Sequence, residues 1–120
     1  MITNKQKYMK AFQVNQTNVI AKAVQFVNYY NMDINDAVRK GIMLEELKQR
    51  MVNGELVKFK YMKVDGSIRN AIGTLQADVV AANTKANGTY RKPQGAFCYI
   101  DLESFGWRSF REERLIEILN

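Results

Sequence analysis

The apolar residues of this chain change their period once, at Asn53-Gly54, and that change bounds what the chain can become. Before it, Ile20, Ala23, Val24 and Val27 recur at the spacing of one helical face. Ile34, Ala37, Val38, Leu44, Leu47 and Met51 keep the same spacing. After it, Val57, Phe59 and Tyr61 alternate with Leu56, Lys58, Lys60 and Met62, the two-residue period of a strand with one covered face. A helix period does not serve a strand, so the chain divides into a helical region, residues 1–54, and a β region, residues 55–120.

Punctuation residues refine this outline. A helix is expected over 18–30, capped by Thr17 or Asn15, and residues 3–12 form either a further short helix or a basic arm. Asn31-Met32-Asp33 breaks the pattern, Asp33 is placed to cap the second helix, and Asn53-Gly54 closes it. Asp65-Gly66 marks a tight turn into a second strand over 67–76, where Gly73 permits a bend. Residues 77–95 hold the chain's one proline, Pro93, and form a long connection with a helical turn around 79–82. Short strands then fit 96–102, 107–110 and 115–119, linked by a turn near 104–106 and by the single turn Arg111-Glu112-Glu113-Arg114. An OB-fold also has five strands but asks for longer ones. The expected fold is therefore α+β, an N-terminal helical hairpin followed by a five-stranded SH3/Sm-like β-barrel.

The 120 residues suffice for one sizeable core, so the fold needs no disulfide or metal staple. Cys98 is the single cysteine and sits in the apolar string Phe97-Cys98-Tyr99-Ile100, as a small buried residue in a reducing compartment would. The first seven residues lack the apolar core of a signal peptide, and no apolar run approaches the ~20 residues that span a bilayer, so a cytoplasmic protein without membrane contact is expected. The chain has no histidine, which removes Ser-His and Cys-His catalysis and His-containing zinc sites. No GxxxxGK[ST] segment is present, and Asp101 and Glu103, on one side of a strand, carry no mark of a tuned acid or base. The expectation is a non-enzymatic module with no catalytic residue, metal or cofactor.

Charge points to an anionic partner. The net charge is +6, and it is unevenly spread. Residues 1–32 carry four lysines and no acid, residues 55–95 carry seven cations against three acids, and residues 96–120 carry three arginines against five acids. Lys58 and Lys60 share one strand face, and with Arg69 across the hairpin they could follow a phosphate backbone; the plainer reading is edge lysines that discourage strand pairing. Trp107 beside Arg108 and Arg111 fits base stacking with phosphate contacts, and Trp107 also fits the large core residue that a small barrel needs. Lys85, Tyr90, Arg91 and Lys92 interleave cations with an aromatic in the long connection. Tyr61 and Tyr99 read as core aromatics, with a ligand pocket of Tyr61, Tyr99 and Arg108 as the alternative. The two helices do not read as a DNA-binding helix-turn-helix, because Asp33 and Asp36 stand where phosphates would approach. They suit capping and the helix dipole, in a packed hairpin or dimerisation surface.

The stretch Val57-Lys-Phe-Lys-Tyr-Met-Lys-Val-Asp-Gly-Ser-Ile-Arg-Asn-Ala-Ile-Gly-Thr-Leu75 resembles the opening of a WYL-like, Sm-type SH3-barrel family. Tyr99-Ile-Asp-Leu, Gly106-Trp-Arg-Ser-Phe110 and Leu115-Ile-Glu-Ile118 resemble its close, so the likeness covers roughly residues 55–119. The resemblance implies a small bacterial or phage protein with the barrel fold. True WYL domains are regulatory modules that bind nucleic acid or nucleotide-like ligands, and an arginine matching Arg108 takes part. Cys98-Tyr99-Ile100 stands here where those domains carry Trp-Tyr-Leu. The functional expectation is a phage- or mobile-element-type nucleic-acid-binding module, salt-sensitive and weakly sequence-specific. The alternatives are a regulatory module whose helices dock a protein partner or a second copy, and a sensor of a nucleotide-like ligand.

Overall fold

The computed structural model describes residues 16–84 and 92–120. The chain forms two units, Met1–Glu45 and Glu46–Asn120.

In the first unit, helix α1 spans Gln16–Tyr30. It buries Val19, Ala23 and Phe26 and leaves Ile20 and Val24 exposed, which corrects the expected stripe. The helix carries two apolar rows offset by one residue, and the row holding the large Phe26 ring is the one covered. Asn31, with φ of 51°, ends the helix in the left-handed region that asparagine tolerates. Helix α2 follows over Ile34–Val52. Asp33 caps it as expected: its Oδ2 accepts the Asn35 N–H at 3.0 Å and the Asp36 N–H at 3.4 Å. Asp33→Ala should therefore lower stability by about 1 kcal/mol in denaturant titration, with Asp33→Asn close to wild type.

The second unit begins within α2. Gly54, with φ of +96°, closes the helix: the Glu55 N–H reaches Arg50 O and the Gly54 N–H reaches Met51 O, both at 3.0 Å. Met51 O also accepts the Leu75 N–H at 3.2 Å, which ties the helix end to the sheet. Strands β1 (Val57–Met62), β2 (Ile68–Thr74), β3 (Ala96–Asp101), β4 (Gly106–Arg111) and β5 (Leu115–Ile118) form one antiparallel sheet in the order β4-β3-β2-β1-β5. A three-residue 3-10 turn, Glu112–Arg114, leads from one sheet edge to the other, so the sheet curls like a barrel without a β4–β5 ladder.

The Asp65-Gly66 turn forms as expected, with Asp65 Oδ1 accepting the Ser67 N–H and hydroxyl. That use of Ser67 starts β2 one residue later than expected, and the Leu75 bond to Met51 ends it at Thr74. In the long connection a short helix, α3, runs over Ala77–Ala82.

Register places Phe59, Tyr61, Ala71, Gly73, Phe97, Tyr99 and Phe110 on the inner face. Tyr61 stacks on Phe110 at 4.6 Å between centroids, Phe97 stacks on Phe110 at 5.2 Å, and Phe59 meets Tyr99 edge-on at 5.1 Å. This aromatic layer is the core, and it has a polar end.

Candidate functional site

At the polar end of that layer the inner face stops being apolar. Arg69 lies opposite Tyr61, and Arg108 lies opposite Tyr99, so all four side chains start from the inner face. The Tyr61 and Tyr99 hydroxyls are 3.1 Å apart and hydrogen-bonded. Between the arginines is Asp101, whose side chain is wholly buried. Its Oδ1 accepts from Arg69 Nη2 at 3.1 Å. Its Oδ2 accepts the Ser104 N–H at 2.9 Å and the Ser104 hydroxyl at 2.8 Å, and it lies 3.3 Å from Arg108 Nε. Glu103 adds a longer, exposed contact to Arg69 at 3.9 Å.

The electrostatics follow from this packing. Burial alone would push the Asp101 carboxyl up, but the Ser104 hydroxyl and amide together with Arg69 outweigh it and hold it below the usual carboxylate range. Burial works against the Arg69 charge, and Asp101 and the Tyr99 hydroxyl outweigh that and raise its pKa. Burial, reinforced by the Tyr61 hydroxyl, pushes the Tyr99 phenol well up, so it stays a neutral donor. One carboxylate thus orients two guanidinium groups. Arg108 remains 45% exposed, and its fork geometry suits a phosphate or carboxylate.

The expected ligand-pocket residues Tyr61, Tyr99 and Arg108 are brought together. The expected nucleic-acid residues are not gathered on one surface. Lys58 and Lys60 point to the outer face, whereas Arg69 takes the inner face opposite Tyr61, so the three do not share a face. Nor are these lysines on an edge, because β1 lies between β2 and β5. Trp107 is opposite Ile100 on the other face of β4 from Arg108 and is half-buried, so it does not stack beside that guanidinium. Arg111 shares Trp107's face and pairs with Glu113 at 2.7 Å. Lys92 is exposed, and Lys85, Tyr90 and Arg91 lie outside the described residues.

Sequence reasoning missed two members of the site, Asp101 and Ser104. Asp101 reads, with Glu103, as a strand acid bearing no mark of a tuned acid or base, although Asp101-Leu-Glu-Ser104 has the spacing at which an aspartate accepts the backbone N–H three residues on. That reasoning also gave no notice of Phe105, which follows Ser104 in the β3–β4 turn, has φ of 52° and is 70% exposed. No group of three or more His, Cys, Asp or Glu able to hold a metal occurs among the described residues. No helix among them is long and apolar enough to cross a membrane.

A protein-family model described as WYL_2, Sm-like SH3 beta-barrel fold, matches residues 44–116, more than half of the chain. The match takes in β1 to β4 and the start of β5 and reaches back into α2. No curated protein and no solved structure matches the chain.

Proposed function

The chain belongs to the WYL_2 family of Sm-like SH3 barrels, and from that premise we propose that it is a non-enzymatic nucleic-acid-binding module whose contact surface is the barrel mouth around Arg69, Phe105 and Arg108. Phe105 is the observation that carries this reading. Left-handed backbone costs a non-glycine residue roughly 1–2 kcal/mol. The bonds that close the turn use Asp101 and Ser104, not the phenyl ring. A bulky residue kept in such a conformation and left in solvent points to a use outside the fold. Beside guanidinium groups that use is stacking on an unpaired base, worth roughly 1–3 kcal/mol, while the cations hold phosphate.

Fluorescence anisotropy with labelled single-stranded and duplex oligonucleotides, at low and physiological salt, tests the reading. Single strands are expected to bind better, with affinity falling steeply as salt rises. Phe105→Asn should raise stability by about 0.5–1 kcal/mol, because asparagine tolerates the left-handed region, and weaken binding about fivefold to tenfold. Arg108→Ala should lower the salt slope by about 0.7, and Glu103→Gln should tighten binding at low salt. Absence of binding at low salt, or full affinity in Phe105→Asn, would sink the reading.

A second reading, a sensor of a nucleotide-like ligand, rests on Arg69 Nε, a buried donor with no hydrogen-bond partner among the described residues. An oxygen acceptor from a ligand would satisfy it. Competition of adenosine monophosphate against the labelled oligonucleotide separates the two readings.

A further inference from the structure

The barrel mouth carries an acid that an anion-binding surface would do better without. Glu103 is 63% exposed, and among the described residues its carboxylate meets Arg69 at 3.9 Å, beyond hydrogen-bond distance. The Arg69 charge is already met by Asp101 at 3.1 Å. With Glu103 present, the arginines of the mouth face an equal number of acids, so Glu103 opposes phosphate in general. Asp101 has no capacity for a ligand. It is wholly buried, its Oδ1 accepts from Arg69 and its Oδ2 from the Ser104 amide and hydroxyl. Glu103 keeps both oxygens for a donor from outside. Ser104 separates Glu103 from Phe105, and its two bonds to Asp101 fix the turn that carries both. The contact with Arg69 places the Glu103 carboxylate on the mouth side of that turn.

We infer, resting on the nucleic-acid reading of this mouth, that Glu103 is a specificity-determining residue that selects guanine among the bases stacked on Phe105. Single strands leave the Watson–Crick edges of their bases open to protein. A carboxylate accepts hydrogen bonds and donates none, so it favours a base with adjacent donors. Guanine has them in its ring N–H and the neighbouring amino group, and a carboxylate takes both at once. Thymine and uracil set one N–H between two carbonyl oxygens. Adenine and cytosine set an amino group beside a ring-nitrogen acceptor. Each of these brings an acceptor against Glu103. Guanine therefore offsets the repulsion that the acid imposes on phosphate, and the other bases do not, which is discrimination by repulsion as well as attraction.

The test is fluorescence anisotropy of labelled oligothymidine, plain or with one central guanine or inosine, titrated with the full chain at low salt. The guanine strand should bind about tenfold tighter than the plain strand. Inosine keeps the ring N–H but lacks the amino group, and should lose most of that gain. Glu103→Gln changes an exposed side chain at nearly constant shape. It should reduce the guanine preference to within about twofold, while the plain strand binds more tightly because a repelling charge is gone. The low-salt gain of this variant thus belongs to strands without guanine. Equal binding of the strands by wild type, with the expected loss in Phe105→Asn, would overturn the inference and leave the mouth as the binding surface. A guanine preference that survives in Glu103→Gln would overturn it as well. Failure of every strand to bind would remove the nucleic-acid reading and this inference with it.

Discussion

Replacing Asp101 with alanine is expected to destabilise the protein by about 3–5 kcal/mol, a large part of the roughly 5–15 kcal/mol available to a domain of this kind. The size comes from what is left behind. Asp101 is buried, accepts from Arg69 and Ser104, and forms an ion pair with Arg108, whose Nε donates to the Ser104 hydroxyl. Without it, Arg69, mostly buried, keeps a charge with no carboxylate apart from the distant Glu103. A buried pair is weak evidence of stability, but breaking one is costly because the remaining charge cannot return to water. That account makes a second prediction within the same experiment. Adding Arg69→Met to Asp101→Ala removes the orphaned charge and should recover more than about 1 kcal/mol, whereas a simple packing defect would worsen.

The same carboxylate should leave a pH signature. Its folded pKa is held below the ordinary value, so its contribution is fully present above the unfolded pKa of about 3.9 and is lost as pH falls through the folded pKa. The stability gap between wild type and Asp101→Asn should therefore stay constant from neutral pH to about pH 5 and narrow below about pH 4. Denaturant midpoints measured across that range check it. A gap that stays constant to pH 2 would mean that Asp101 acts by shape and not by charge.

Much of this architecture was legible because local rules and tertiary needs agree in most segments. Asp33 caps, Gly54 closes, Asp65-Gly66 turns, and the alternation of Val57, Phe59 and Tyr61 faces inward as its period implies. Where two readings were locally equal, only packing could decide. The rows of Val19, Ala23, Phe26 and of Ile20, Val24, Val27 have the same spacing, and nothing in a one-residue offset says which is covered. The site was harder still, because it depends on register. A hairpin pairing that sets Lys60 against Asn70 puts Arg69 with Tyr61, and a shift by one residue would have put it with the lysines. Charge counting gathers cations into one patch; the pleat distributes them to two faces and assigns two arginines to a buried acid.

Gly73 shows how that register holds the site together, and Gly73→Ala is expected to cost about 2–3 kcal/mol. A Cβ at this position would collide with Tyr99 Cδ2 and come within 3.1 Å of Tyr99 Cε2 and 3.2 Å of Ile100 O. Neither neighbour can yield easily. Tyr99 is fully buried, edge-on against Phe59 and bonded through its hydroxyl to Tyr61, and the Ile100 carbonyl belongs to the strand itself. The glycine is thus needed for close approach, since its φ lies outside the left-handed region. Tyr99→Leu alone removes the hydroxyl bond and part of the aromatic layer, at a cost of about 2 kcal/mol. Combined with Gly73→Ala it also removes the ring that the methyl strikes, so the double variant should be more stable than the two losses added together by at least about 1 kcal/mol. Additive losses would show that Tyr99 does not occupy the space above Gly73. Because Tyr99 faces Arg108 across the β3–β4 ladder, a ring displaced by the methyl also moves the mouth, so folded Gly73→Ala protein should bind oligonucleotide less well than wild type.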